Sequence, residues 1–251
     1  MTTINNIDSY LNKIAPKELS EPWDNDGIML CDDKNAAVKK ALVCLEINIP
    51  AIEKAKELGA QLIITHHPFI FRPLKSICGE AFSELELLIK NDISVISCHT
   101  RFDKAQGGVN DILAETLGLC DISQTGEFLR AGNLKTEMTG TEFAQYLRGK
   151  LDCGTMKAYF EKDAKIRTVA VCGGAGKDFL EEAAECADAY VSADFSHNTF
   201  IDAKNLGIAI FDAGHYHTEN PSVQVLSELL VKEFPGTVFE AFDVCSPFFT
   251  V

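Results

Sequence analysis

Two series of short apolar runs, each alternating with helical patterns, constrain the fold of this chain more than any other feature. The first series reads strand 41–47 (ALVCLEI), helix 50–58, strand 61–65 (QLIIT), helix 81–91 and strand 93–98 (ISVISC). The second reads strand 168–172 (TVAVC), helix 177–186, strand 189–193 (AYVSA), helix 197–205 and strand 208–212 (IAIFD). Strands this short and this continuously apolar are covered on both faces, which is the pattern of parallel sheets with helical crossovers. The expected fold class is therefore α/β, with two similar βαβαβ halves, mainly parallel sheets and 251 residues to bury a substantial core. The joining segment, about 104–166, holds a helical stretch at 107–118, a glycine-marked turn at 126–134 and a helix at 140–151. We expect the first half over residues 1–125 and the second over 126–251.

The six histidines fall in four windows, each just past the end of an apolar run: IITHHP, ISCHTRFD, SADFSHN and IFDAGHYHTE. Space-filling histidines would be scattered. Because ligands of open α/β sheets gather beyond the carboxyl ends of strands, these windows mark the functional end of each half. Two halves facing each other would then share one metal-binding cleft. His66 and His67 leave the terminus of one strand in different directions, which suits two neighbouring ions better than one. Asp103 follows His99 by four residues and Glu219 follows His215 by four, the spacing that stacks side chains on one helical face.

Imidazole with carboxylate is a donor set for Zn, Fe, Mn or Ni. The expected cofactor is two divalent metal ions per chain, held by His66, His67, Asp103, His215 and Glu219. Carboxylates and neutral imidazoles around two such ions leave a net positive cluster that favours a bridging hydroxide or a phosphate. His99 reads either as a further ligand or as a residue that orients one. His197 reads as a proton donor or as a structural residue at a helix start, and both His99 and His197 are candidate catalytic residues. His217, two residues from His215, is a candidate substrate contact. Cys98 continues an apolar strand and reads as core rather than ligand. CGGAGKD at 172–178 resembles a phosphate loop but lacks its full spacing, and a tight strand-to-helix turn explains it equally well.

Nine cysteines, an odd count without a C-x-x-C pair, suit reduced thiols of the cytoplasm better than a disulfide framework. The amino terminus lacks a signal-peptide pattern, and no apolar run approaches the ~20 residues of a membrane span. A net charge of −14 argues against nucleic acid and anionic membrane as partners. The expected partner is a small anionic molecule such as a nucleotide. Arg72 and Lys75, shortly after His66, are placed either to meet such an anion or to form a solvated basic edge. Trp23, Asp24 and Asn25 read as a segment closing over a ring or as a turn packed on the core.

The motifs ITHHPFIFRPLKSI, SCHTRFD with the following GGVNDILAETLGL, PWDNDG and GHYHTEN together resemble the GTP cyclohydrolase 1 type 2 family, also called the NIF-three-like family. The resemblance runs in order over essentially the whole chain. It implies two similar α/β domains around a dinuclear metal centre, often assembled as a hexameric ring of three dimers. The family's metal ligands map onto His66 and His67 of HHP, Asp103 of HT-x-x-D, and His215 and Glu219 of GHY-x-T-E. Longer members carry an inserted central domain for which this chain is too short. SADFSH stands where the family usually shows a TGD-like turn, which leaves open what Asp194 and His197 do.

The leading expectation is a dinuclear metal-dependent hydrolase acting on a nucleotide or another small anion, with ring opening of GTP as its most specific form. A metal pair would lower the pKa of a bridging water and polarise the bond under attack. Two other readings keep the same ligands: a metal-binding scaffold without turnover, and a regulatory partner of other proteins. The family resemblance further leads us to expect a homo-oligomer, a hexamer above all.

Overall fold

The computed structural model describes residues 1–248. From the amino terminus come α1 (Ile4–Ile14), β1 (Gly27–Leu30), β2 (Lys40–Cys44), α2 (Ile49–Leu58), β3 (Leu62–Thr65), α3 (Glu80–Lys90), β4 (Ser94–Ser97) and the short α4 (Thr100–Lys104). The middle of the chain forms α5 (Val109–Thr116), β5 (Cys120–Thr125), β6 (Leu129–Thr139), α6 (Gly140–Leu151), β7 (Lys157–Tyr159), β8 (Lys165–Ala175), α7 (Leu180–Cys186) and β9 (Ala189–Ala193). The last elements are α8 (His197–Leu206), β10 (Ala209–Asp212), α9 (His215–Glu219), α10 (Pro221–Glu233) and β11 (Val238–Ala241). They make up two compact units, Met1–Gln106 with Val223–Cys245, and Gly107–Ser222 with residues 246–248.

In the first unit the sheet order is β1-β4-β3-β2-β11. All pairs are parallel except β1 with β4. Register places Leu42 beside Ile63 and Ile63 beside Val95, and all three are buried with Ile52 of α2 and Leu88 of α3. Burying each such side chain contributes about 1.5–3 kcal/mol, so this layer is a large contribution to the stability of the unit. Local signals set the helix ends. The Asn48 side chain accepts from the Ala51 amide at 2.9 Å to start α2, and Gly59 at φ 70° closes it in the left-handed conformation that glycine adopts without strain. At α1, Thr3 and Asn6 cap each other reciprocally, and Ile4, Ile7 and Leu11 form its buried stripe.

The sheet of the second unit has the order β5-β6-β8-β9-β10-β7. Its centre, β8-β9-β10, is parallel, and β5, β6 and β7 add antiparallel flanks. The same βαβαβ order occurs in both units: β2-α2-β3-α3-β4 in one and β8-α7-β9-α8-β10 in the other, with consecutive strands adjacent. This is the α/β class with two similar halves that the alternating apolar runs implied. The antiparallel flank is an addition to that expectation. Residues 126–134, read as a turn, are the tip and first part of a hairpin. Gly126 turns at φ 62°, and β6 runs on from Leu129 although Arg130, Asn133 and Lys135 interrupt its apolar pattern.

Candidate metal centre

In the first unit, β3 and β4 end side by side, with Thr65 and Ser97 in register and their hydroxyls 2.8 Å apart. The chain leaving β3 carries His66 and His67, and the chain leaving β4 carries Cys98 and His99. Each imidazole is oriented through Nδ1. His66 donates to the Cys98 carbonyl at 3.0 Å, His67 faces Glu46 Oε2 at 3.4 Å, and His99 donates to Asp24 Oδ1 at 2.9 Å. One ring nitrogen from each of the three lies within 4.8 Å of the others. The single turn of α4 brings Asp103 back over His99, its amide donating to the His99 carbonyl at 3.2 Å, and sets Asp103 Oδ1 3.4 Å from His66 Nε2. His66 and Asp103 are both buried.

Asp24 anchors this arrangement from a fully buried side chain. Its Oδ2 accepts from the Thr100 amide at 3.1 Å and the Thr100 hydroxyl at 2.6 Å. Burial pushes the Asp24 carboxyl up, but the hydrogen bonds from His99 and Thr100 outweigh it and hold the pKa at about 2. Asp26 accepts from the His99 amide at 3.2 Å and pairs with the buried Arg101 guanidinium at 2.7 Å. The turn before β1 is thereby fixed to the start of α4.

In the second unit, β10 leads through Gly214, at φ 88°, into α9. His215 Nδ1 donates to Asp194 Oδ2 at 2.7 Å, and His215 Nε2 lies 3.1 Å from Glu219 Oε2, one helical turn on. Glu219 is buried against β8, and the glycines there are a steric requirement. A Cβ on Gly174 would sit 2.1 Å from Glu219 Oε1 and 3.1 Å from His215 Nε2, and the residue is at φ 63°. The amides of Gly173 and Gly174 are already taken, by Asn110 Oδ1 at 2.7 Å and Thr218 Oγ1 at 3.0 Å. CGGAGKD thus runs from the end of β8 into a strand-to-helix turn, and its Gly173 and Gly174 form the wall behind Glu219.

A cleft of about 790 Å³ in this unit is lined by His215, His217, Asp194, Lys157 and Asp212 among others. Lys157 Nζ pairs with Asp212 at 3.1 Å, and His217 Nδ1 donates to the Leu151 carbonyl at 3.2 Å. His197 opens α8 on the exposed surface and belongs to none of the histidine and acid groupings found among the described residues. Arg72 and Lys75 are exposed on the chain between β3 and α3. Cys98 gives its carbonyl to His66, while burial pushes its thiol up to about 12, the behaviour of a core thiol.

The donor set fits a divalent metal ion on chemical grounds. An imidazole that gives its Nδ1 proton to an oxygen presents Nε2 as a lone pair, and this tautomer-fixing contact accompanies most histidine ligands. His66, His67, His99 and His215 all have such a contact, and Asp103 and Glu219 supply the hard oxygen donors. Glu46, Asp24 and Asp194 are the residues that sequence reasoning missed in this role. The available signals were weak: Glu46 lies in the run read as strand 41–47, although β2 ends at Cys44, Asp24 lies in PWDNDG, and Asp194 lies in a histidine window.

Parallel α/β units with imidazole and carboxylate donors beyond their strand ends define an α/β protein whose side chains suit metal coordination. The chain belongs to the Duf34/NIF3 (NGG1p interacting factor 3) family, whose profile matches residues 2–246. It is 32% identical over 246 residues to a GTP cyclohydrolase 1 type 2 homolog of Clostridium perfringens, covering 94% of each chain. It is 33% identical over 235 residues to a GTP cyclohydrolase 1 type 2 of Helicobacter pylori, covering 92% of each. Its fold is similar to that of a Staphylococcus aureus hypothetical protein, with TM-score 0.94, 25% identity and 99% of both chains covered. Among the described residues no helix is long and apolar enough to cross a membrane.

Proposed function

We propose that the protein is a metal-dependent hydrolase acting on a nucleotide or another small anionic molecule. The observation that carries this reading is the convergence of His66, His67 and His99, each oriented through Nδ1, with Asp103 against His66. Two divalent ions per chain are assigned to His66, His67, Asp103, His215 and Glu219. That the ions form one dinuclear centre is carried over from the family motifs. Bound there, the ions would supply Lewis acidity and lower the pKa of water enough for hydrolysis near neutral pH.

The chain's own groups have separate tasks. Cys98, Glu46 and Asp194 keep His66, His67 and His215 in the tautomer that offers Nε2. Asp24, ionised throughout the neutral range, holds His99 as a hydrogen-bonded imidazole suited to proton transfer at the substrate. Arg72 and Lys75 are assigned to the substrate's negative charge, and His197 is retained as a proton donor. We further propose a cytoplasmic homo-oligomer, a hexamer by resemblance to the family.

The test is elemental analysis of the protein as purified, together with His66→Ala, His67→Ala and Glu219→Ala, followed by a screen of nucleotides and phosphoesters with the native metal present. Near two transition-metal ions per chain, reduced in each variant, and turnover of at least one compound are expected. Metal content unchanged in all three variants would remove the site assignment. Full metal content without turnover across the screen would instead favour the scaffold reading.

A further inference from the structure

Trp23 and Phe71 are large apolar side chains of the first unit that stand exposed, at 60% and 42%, while the backbone beside each is tied down. The two residues that follow Trp23 tie its turn down on both sides. Asp24 is buried against His99 and Thr100, and Asn25 Nδ2 donates to the Ile70 carbonyl at 2.5 Å, next to Phe71. The Trp23 turn and the chain leaving His66 and His67 are therefore laced together directly behind the two rings. The rings meet edge to face, with centroids 6.0 Å apart. Each also meets the His99 imidazole edge to face, at 6.4 Å for Trp23 and 6.2 Å for Phe71. His99 in turn lies 5.2 Å from His66 and 5.8 Å from His67, centroid to centroid.

We propose that Trp23 and Phe71 form a binding subsite for the planar heteroaromatic ring of a small ligand, of the size of a purine. This deepens the hydrolase reading by naming the side chains that take the ring of its substrate, and it rests on that reading only for the role of the adjacent metal. Aromatic faces bind such rings by stacking, which tolerates differences between bases because every base has a π-face. An exposed pair held rigidly in place loses little conformational freedom when a ring is added. The position is what distinguishes a ligand subsite from a scattered apolar surface: a ring stacked on Trp23 or Phe71 lies beside His99 and within reach of the histidine cluster. Arg72, adjacent to Phe71 in the chain and exposed, supplies a cation for an anionic substituent on the same ligand.

Trp23 is the sole tryptophan of the chain, so its emission reports on the subsite directly. The experiment titrates the full-length protein, as purified and after metal removal, with adenosine and guanosine 5′-monophosphate, using ribose 5-phosphate as the same anion without a base. Saturable quenching by both nucleotides and none by the sugar phosphate is expected, with metal removal weakening but not abolishing the response. Phe71→Leu is expected to weaken nucleotide binding roughly fivefold or more, while leaving the metal content and circular dichroism of the protein unchanged. Calorimetry on Trp23→Leu supplies the same comparison where the fluorophore is lost. Absence of quenching by either nucleotide, or an equal response to ribose 5-phosphate, overturns the subsite. So does a Phe71→Leu protein that changes oligomeric state with nucleotide affinity intact, which would assign the pair to contact with a second copy of the chain. Full metal content without quenching would defeat the subsite and leave the hydrolase reading standing. Quenching in a protein that binds no metal would do the reverse.

Discussion

Asp194 Oδ2 accepts a 2.7 Å hydrogen bond from His215 Nδ1 while its own backbone sits at φ 57°, in the left-handed region. Asparagine and aspartate tolerate this region better than other side-chain-bearing residues. A residue that bears this conformation and also fixes the tautomer of a candidate ligand has two separable roles. Asp194→Asn retains the backbone preference and removes the charge behind the imidazole. We expect it to lower metal affinity by about 10–100-fold with little change in unfolding midpoint, measured by competition with a chromophoric chelator. Unchanged affinity would limit Asp194 to shaping the turn after β9.

Gly174 tests the second unit's donors by sterics alone. A methyl group there meets Glu219 Oε1 at 2.1 Å and must also adopt φ 63°. Gly174→Ala is expected to destabilise the protein by about 1–3 kcal/mol and to reduce bound metal as Glu219 is displaced. Denaturant titration and elemental analysis check both. A variant with wild-type metal content would show that β8 relaxes and that Glu219 needs no glycine behind it.

The Asp24 carboxyl is held at about 2, against an ordinary value of 3.8. A carboxyl with a lowered folded-state pKa contributes stability that is fully present above its unfolded pKa and lost as pH falls through the folded one. The contribution, at most roughly 2 kcal/mol, therefore disappears between about pH 4 and pH 2. Asp24→Asn is expected to lower stability at pH 7 and to flatten this part of the stability profile, read from denaturation midpoints across that range. An Asp24→Asn profile parallel to the wild type would show that another carboxylate carries the acid sensitivity.

Cysteine accessibility separates core thiols from surface ones. Burial pushes the thiols of Cys44 and Cys98 well above the usual range, Cys98 to about 12, whereas Cys78 and Cys245 are exposed. Only the thiolate reacts with alkylating agents, so Cys78 and Cys245 should be modified in the native protein and Cys44 and Cys98 only on unfolding. Mass spectrometry after brief iodoacetamide treatment reads this. Rapid labelling of Cys98 in the native state would contradict the packing described beside His99.

Much of this molecule is determined by short stretches of chain. Runs such as LIIT and AYVSA are short, rich in β-branched and aromatic residues and largely apolar on both faces, which suits a covered strand, and β3 and β9 form there. Helix limits at α2 and α8 follow from Asn48, Ser196, Gly59 and Gly207, whose capping chemistry acts within a few residues. The histidine windows are legible for the same reason, since a residue just past a strand end is placed by that strand. What tertiary structure alone decides is pairing over distance. β11 comes from the end of the chain to complete the first unit's sheet beside β2, and β6 becomes a strand by pairing with β5 and β8 despite its polar residues. The partners that orient the imidazoles belong to this second kind. Asp24 is 75 residues from His99, and Glu46 and Asp194 are each 21 from the histidines they face. A hydrogen bond across such separations depends on where whole strands and turns are packed, and no local propensity encodes it.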